Sequence, residues 1–223
     1  EDLVAAGIPR EKVTYIPNFV NKEKWHPLPK EEVLRLREDL GLDQHQFIVV
    51  GAGQVQKRKG IDDFIRLAEE LPQVTFIWAG GFSFGGMTDG YEKYKKMMEN
   101  PPKNLLFPGI VTPERMRELY SLADIFLLPS YNELFPMTIL EAASCDAPIM
   151  LRDLDLYKVI LEDNYHATAD KDEMKQSILE YQKNPDSLKE LKEKAKKISR
   201  EYSEEHLLQI WLEFYQEQAA LGR

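Results

Sequence analysis

Short apolar runs that alternate with amphipathic helical patterns constrain this chain more than any other feature. The runs fall at residues 47–50, 74–79, 105–107, 125–128 and 149–151, with a weaker one near 166–169. They are apolar along nearly their whole length, as strands covered on both faces must be. Helical patterns follow them at about 61–71, 91–99, 113–122, 136–144 and 155–161. This alternation predicts an α/β fold, a Rossmann-like parallel sheet with helices on both faces and right-handed crossovers, followed by C-terminal helices. Ligands of such sheets bind beyond the carboxyl ends of the strands. Gly51, Gly80, Gly81 and Gly109 follow strands at that edge.

The 223 residues suffice for one large α/β domain with extra helices. A formal net charge of −9, with no basic tail or stripe, argues against nucleic acid as a partner. It argues equally against anionic membrane as a strong partner of this chain by itself. Cys145 is the one cysteine, so no internal disulfide can form and a reducing compartment fits. No run has the length of a membrane span and the opening residues do not read as a secretory signal. The sequence thus points to a cytoplasmic setting. The chain opens at Glu1-Asp2-Leu3 as if inside a helix, and reads as a piece of a longer protein.

The first 30 residues read as a connector, with Tyr15–Val20 as a short strand and turn, stiffened by Pro17, Pro27 and Pro29. Residues 187–200 mix Lys and Glu at helical spacing, the pattern of a solvated face. Residues 206–215 are different. Leu207, Leu208, Ile210, Trp211, Leu212, Phe214 and Tyr215 either pack on this domain's own core or dock on another domain.

Chemistry concentrates in the segment Glu133-Leu134-Phe135-Pro136-Met137-Thr138-Ile139-Leu140-Glu141. Pro136 suits the first helical position, where its missing N–H costs nothing. Glu133 then lies in the loop before the helix, and Glu141 lies roughly 7–8 Å along its axis. An anion would settle at the helix start, against free N–H groups, with one carboxylate at each end. A sugar nucleotide has that layout: hexose hydroxyls, a diphosphate, then a ribose diol. The same residues also read as a plain helix start with two solvated acids. Upstream, Lys57, Arg58 and Lys59 cluster just before a helix at the ligand-binding edge. They read as a diphosphate site or as a solvated basic turn.

Other patterns lead elsewhere. Gly51-Ala52-Gly53 lacks the third glycine of a dinucleotide fingerprint, which would fall at Gln56, and no P-loop pattern is present. Asp153-Leu154-Asp155 is read as a helix cap rather than a metal site. The four histidines have no ligand spacing, and no pattern points to nucleophilic catalysis. The loop Gly80-Gly81-Phe82-Ser83-Phe84-Gly85-Gly86 is long for a βα connection, which suits a loop close to a ligand.

Taken together, the residues resemble the carboxyl-terminal half of retaining GT-B glycosyltransferases of family 4, often called group 1. Ile16-Pro17-Asn18-Phe19-Val20-Asn21 is similar to that family's I-P-N-G-V-D interdomain linker, and Gly53 to Gly60 to its G-R-x-x-x-x-K-G loop. Ala123-Asp124-Ile125-Phe126-Leu127-Leu128-Pro129-Ser130 resembles the strand before its E-x7-E motif, whose acids match Glu133 and Glu141. The segments 54–60 and 81–90 look most like bacterial enzymes that glycosylate diacylglycerol. The resemblance implies a two-domain enzyme. Residues 1–20 would be a remnant of an N-terminal domain with its linker. Residues 21–200 would form the nucleotide-sugar-binding domain, and 201–223 a helix returning toward the N-terminal domain.

It also implies roles. Lys59, aided by Arg58, would neutralise the leaving diphosphate, so that no metal and no cofactor is needed. The N–H groups of Met137 and Thr138 would bind phosphate oxygens. Glu133 would hold hexose hydroxyls and steady positive charge developing at the sugar, and Glu141 would accept from the ribose diol. The backbone at Ile110 and Val111 would meet the base, and Gly53, Gln54 and Phe135 would complete the donor site. The implied donor is a UDP-sugar, UDP-glucose or UDP-galactose, and the acceptor a hydroxyl, with a diacylglycerol glycolipid in view. Membrane contact, on the inner face, would run mainly through the N-terminal domain. Departures are visible: Gln54 stands at a usual Arg, Leu134 at a usual Gly, Phe19 at the linker Gly, and Pro136 has no N–H to donate. A non-catalytic module that binds a nucleotide or phosphosugar is the alternative reading. A sugar-phosphate isomerase is a third, disfavoured by the E-x7-E context. The sequence fixes neither the hexose, the base nor the acceptor.

Overall fold

A computed structural model describes residues 2–83 and 85–221. Six strands, β1 (Ile48–Ala52), β2 (Thr75–Ala79), β3 (Leu105–Gly109), β4 (Ile125–Leu128), β5 (Ile149–Arg152) and β6 (His166–Thr168), form one parallel sheet in the order β3-β2-β1-β4-β5-β6. β1, β2, β4 and β5 are buried throughout, which explains their unbroken apolar runs. The strand order reverses between β1 and β4, so the ligand-binding switch point lies between their carboxyl ends.

The helices are α1 (Asp2–Ala5), α2 (Lys30–Asp39), α3 (Ile61–Glu70), α4 (Tyr91–Glu99), α5 (Pro113–Leu122), α6 (Met137–Ser144), α7 (Asp155–Ile160), α8 (Lys171–Lys183), α9 (Leu188–Glu201) and α10 (Glu204–Leu221). α2 packs on α5, α5 on α6 and α6 on α9, while α3 packs on α8. Under α3 the rings of Phe64, Phe76 and Trp78 meet edge-on at 5.0 and 5.4 Å. Each such buried ring contributes about 1.5–3 kcal/mol through area removed from water. The charged face expected at 187–200 is amphipathic: Leu188, Leu191, Ala195 and Ile198 of α9 are buried.

Several local expectations need correction. Tyr15–Val20 forms no strand; Val20 alone makes a bridge, to Ser203. That contact, with Val20 N–H donating to Tyr202 O at 3.0 Å and Asn21 Nδ2 to Glu204 at 2.9 Å, joins the opening segment to the start of α10. Pro136 precedes α6 as its N-cap, in an extended conformation, rather than opening it. Asp153 and Asp155 do not cap α7. Leu154 stands at the cap, and both acids pair with Lys158, at 3.0 and 3.5 Å. α2 has no counterpart in the sequence reading, because its interior is mostly charged and it follows two prolines. Of the glycine-rich loop, Phe84 lies outside the described residues; Phe82 meets Tyr91 edge-on at 4.7 Å.

Candidate functional site

The loops after β1, β2 and β3 are laced together at the carboxyl edge. Gly53 N–H donates to Ala79 O, Val55 N–H to Gly81 O, and Gly80 N–H to Gly109 O. The approach is so close that a Cβ on Gly80, whose φ is +143°, would sit 1.8 Å from Gly53 O. Next comes a single 3-10 turn, Lys57–Lys59, ended by Gly60 in the left-handed region at φ +72°. A Cβ there would lie 2.1 Å from Pro129 O, so glycine alone lets the start of α3 press against the loop after β4. Tyr131 N–H then donates to Arg58 O at 2.9 Å. Backbone contacts thus bind the cationic turn to the acid-bearing loop.

Side chains complete the junction. Lys59 Nζ donates to Glu133 Oε1 at 2.5 Å, and Arg58 lies 3.6 Å from Glu133 Oε2. Arg58 also donates to Asn132 O at 2.7 Å. The Glu133 side chain is only 5% exposed, so both cations serve a desolvated carboxylate. At the start of α6, Ile139 N–H bonds Pro136 O at 3.1 Å, while the N–H groups of Met137 and Thr138 have no partner among the described residues. Both residues line an open cleft of ≈ 450 Å³, together with Arg58, Lys59, Glu133 and Phe135 among others. Cations, free N–H groups and a helix start together make an anion site, with a carboxylate beside it.

The remaining candidates are placed as follows. Glu141 does not line that cleft. It sits in the second turn of α6 and accepts from Tyr120 OH at 3.2 Å, and burial raises its pKa above the ordinary value of 4.5. Ile110 is exposed and Val111 half-buried; Ile110 Cγ1 lies 3.2 Å from where a Gly81 Cβ would be. Gln54 is turned to Gln56, whose Nε2 donates to it at 3.0 Å. Phe135 packs 5.8 Å from Tyr202 while lining the edge of the cleft. Cys145 is buried at the far end of α6, its thiol pushed by burial up to about 12.

Sequence reasoning missed a cluster beneath the site, in which Arg152 and Asp63 are buried and Tyr131 is half exposed. Arg152 NH2 meets Asp63 Oδ2 at 2.5 Å, Tyr131 OH donates to the same oxygen at 2.6 Å, and the guanidinium lies 4.2 Å from the Tyr131 ring centre. Arg152 Nε also donates to Pro129 O at 3.1 Å. The missed residues lie on β5, α3 and the loop after β4, far apart in sequence, so no local motif announces them. Hydroxyls of Ser130, Thr138 and Tyr157 are buried without a hydrogen-bond partner among the described residues.

A doubly wound parallel sheet with two cations, free amides and the Glu133 carboxylate gathered beyond its carboxyl edge defines an α/β domain with an anion site at its switch point. Residues 33–198 match the family described as glycosyl transferases group 1. The chain belongs to that family. It is 86% identical over 223 residues to the alpha-galactosylglucosyldiacylglycerol synthase of Streptococcus pneumoniae, covering 100% of this chain and 60% of that protein. The processive diacylglycerol alpha-glucosyltransferase of Acholeplasma laidlawii is 37% identical over 128 residues, 57% of this chain and 38% of that protein. The chain thus spans 60% or less of these relatives. Among solved structures, Anabaena Alr3699/HepE in complex with UDP superposes with a TM-score of 0.81 at 19% identity, over 97% of this chain and 60% of that one. Likeness at that identity establishes the fold, that of one half of a GT-B enzyme.

Proposed function

We propose that this chain is the donor-binding half of a retaining hexosyltransferase. It would take a hexose from UDP-glucose or UDP-galactose and deliver it to a hydroxyl of a diacylglycerol glycolipid. One observation carries the reading: Lys59 and Arg58 converge on the nearly buried Glu133 at the open start of α6. Both cations stand where a leaving diphosphate would lie, and Met137 and Thr138 N–H groups would receive phosphate oxygens. Glu133 would steady charge at the sugar, and Glu141 would accept from the ribose diol. The acceptor oxygen bonds to the anomeric carbon on the side from which the diphosphate departs. The bond from that carbon to the diphosphate breaks, a diphosphate oxygen takes the acceptor's proton, and UDP leaves. The stabilisation is preorganised charge; the two cations replace a metal. The activities for which the Streptococcus and Acholeplasma relatives are named support a glycolipid acceptor, and the UDP bound by HepE supports the base.

Calorimetric titration of UDP, GDP and ADP tests the donor, with UDP expected to bind tightest and equally well in EDTA. Equal affinity for all three would overturn the base assignment, and dependence on a divalent ion would overturn the metal-free mechanism.

The acceptor side is proposed to come from a preceding domain. α10 fits a helix that reaches it: Leu207 is buried, whereas Leu208, Leu212 and Tyr215 are exposed, with Trp211 stacked 5.6 Å from Tyr215. Contiguous exposed apolar surface of this kind marks an interface. Among the described residues no helix is long and apolar enough to cross a membrane. Contact with the cytoplasmic membrane face is therefore proposed as peripheral and through the preceding domain.

Glu141 yields a pH prediction. Its folded-state pKa is raised by burial, so between 4.5 and that raised value the folded chain holds more protons than the unfolded one. Stability must fall as pH rises through this window. Glu141→Gln should remove that slope in thermal melts from pH 4.5 upward. It should leave stability at pH 7 equal or higher, and weaken UDP binding by about 1 kcal/mol through the altered ribose contact. An unchanged UDP affinity would dissociate Glu141 from the ribose.

A further inference from the structure

A second concavity adjoins the anion cleft. It holds ≈ 520 Å³ and runs between the opening segment, at Val13, Tyr15 and Ile16, and α7, at Leu156 and Val159. Leu134 and Phe135 line this groove and the anion cleft alike, so the loop that follows Glu133 is a wall common to both. Arg10 is the one charged residue among the described residues that line the groove. Leu134 is 89% exposed, Val159 79% and Tyr15 65%. Apolar surface gathered and left open in this way marks a binding face.

The groove has a fixed frame. Tyr202 is buried; its hydroxyl donates to Ile160 O at the end of α7, and its ring meets that of Phe135 at 5.8 Å. One side chain thus ties α7 to the loop after β4. The volume is that of a ligand pocket, and the lining selects the ligand. A molecule seated across both spaces presents polar groups to Glu133 at one end and hydrocarbon to α7 at the other. Hydrocarbon needs no hydrogen-bond partner, whereas a protein segment laid in the groove brings amides and carbonyls that do, and the groove supplies few. We propose that the groove takes an acyl chain of the glycolipid acceptor, with Leu134 at the step between its sugar and its hydrocarbon. The proposal rests on the proposed function and deepens it. The preceding domain would supply the rest of the acceptor site, and this chain one apolar wall.

The test is Val159→Glu in the protein that includes the preceding domain. Glutamate is a good helix former, and Val159 is exposed, so α7 should keep its form and the melting temperature its value. Transfer from the UDP-hexose is measured to two glycolipid acceptors in detergent micelles, one with long acyl chains and one with short ones. The unaltered protein should prefer the long-chain acceptor in kcat/KM. The variant should lose about tenfold or more of that preference, as contact between one valine and hydrocarbon becomes contact with a charge. UDP affinity and binding to phosphatidylcholine vesicles without acceptor should not change. An undiminished preference in the variant would overturn the proposal and leave the proposed function standing. A lower melting temperature with equal loss on both acceptors would overturn it too, by showing that the preceding domain fills the groove. Weaker binding to the bare vesicles would overturn it in favour of a membrane-facing patch. Failure of the unaltered protein to transfer to either acceptor would overturn the proposed function, and this inference with it.

Discussion

Lys59→Ala is expected to weaken UDP binding by about 1.5–3 kcal/mol, the range for hydrogen bonds to charged groups, which is roughly 10- to 150-fold in Kd. The Lys59 side chain is 13% exposed and sits on a turn that Gly60 clamps against Pro129, so its ammonium is held in place before any ligand arrives. The variant also strips Glu133 of its 2.5 Å partner, leaving Arg58 at 3.6 Å. Some loss of stability must accompany the loss of affinity, because an uncompensated buried carboxylate is costly. The double variant Lys59→Met, Glu133→Gln separates the two effects. It should recover melting temperature without recovering affinity. Arg58 is 45% exposed and spread between Glu133 and Asn132 O, so Arg58→Ala should cost less than Lys59→Ala. Calorimetry on the single and double variants decides the matter. If Lys59→Ala binds UDP as tightly as the unaltered chain, the diphosphate does not lie at this turn.

How much of this was legible beforehand depends on the range of the interaction. The strands were visible because burial on both faces forces unbroken apolar runs, and Ile48, Val49 and Val50 show it with no exposure at all. β6 was faint because it is an edge strand of three residues, one of them exposed. The acids and cations of the site were visible as well, since a helix start and its flanking charges lie within a few positions of one another. Their pairing was not. Lys59 and Glu133 are 74 positions apart, and nothing local in either segment says that the ammonium meets the carboxylate. Gln54 shows the same limit from the other side. Its missing charge is plain in the sequence, but only the fold shows Gln54 bonded to Gln56 while Arg58 reaches the acid loop. Pro136 stands one position before the helix rather than at its first residue, because proline tolerates both the cap and the first turn and the chain's entry angle decides between them.

The cluster beneath the site should dominate stability. Arg152→Ala is expected to destabilise the chain by about 3–5 kcal/mol, the cost of breaking a buried ion pair from one side. Arg152 is 8% exposed and Asp63 7%, joined at 2.5 Å across 89 positions. Removing the guanidinium leaves Asp63 with Tyr131 as its donor, and takes a hydrogen bond from Pro129 O and another from Ala169 O. At 2–4 °C per kcal/mol for a chain of this size, the melting temperature should drop by about 6–20 °C. Lys is no substitute, because one ammonium cannot serve Asp63, two carbonyls and the face of Tyr131 together. Replacing both partners, Asp63→Leu with Arg152→Met, should restore most of the stability, since no buried charge is then left alone. UDP affinity should stay reduced in that double variant. Pro129 and Tyr131 lose the contacts that fix the loop carrying Glu133, and Tyr131 N–H is the backbone link to Arg58. A melting temperature within a degree or two of the unaltered chain for Arg152→Ala would show that the loop is held by its backbone contacts alone, and the cluster would lose its place in the construction of the site.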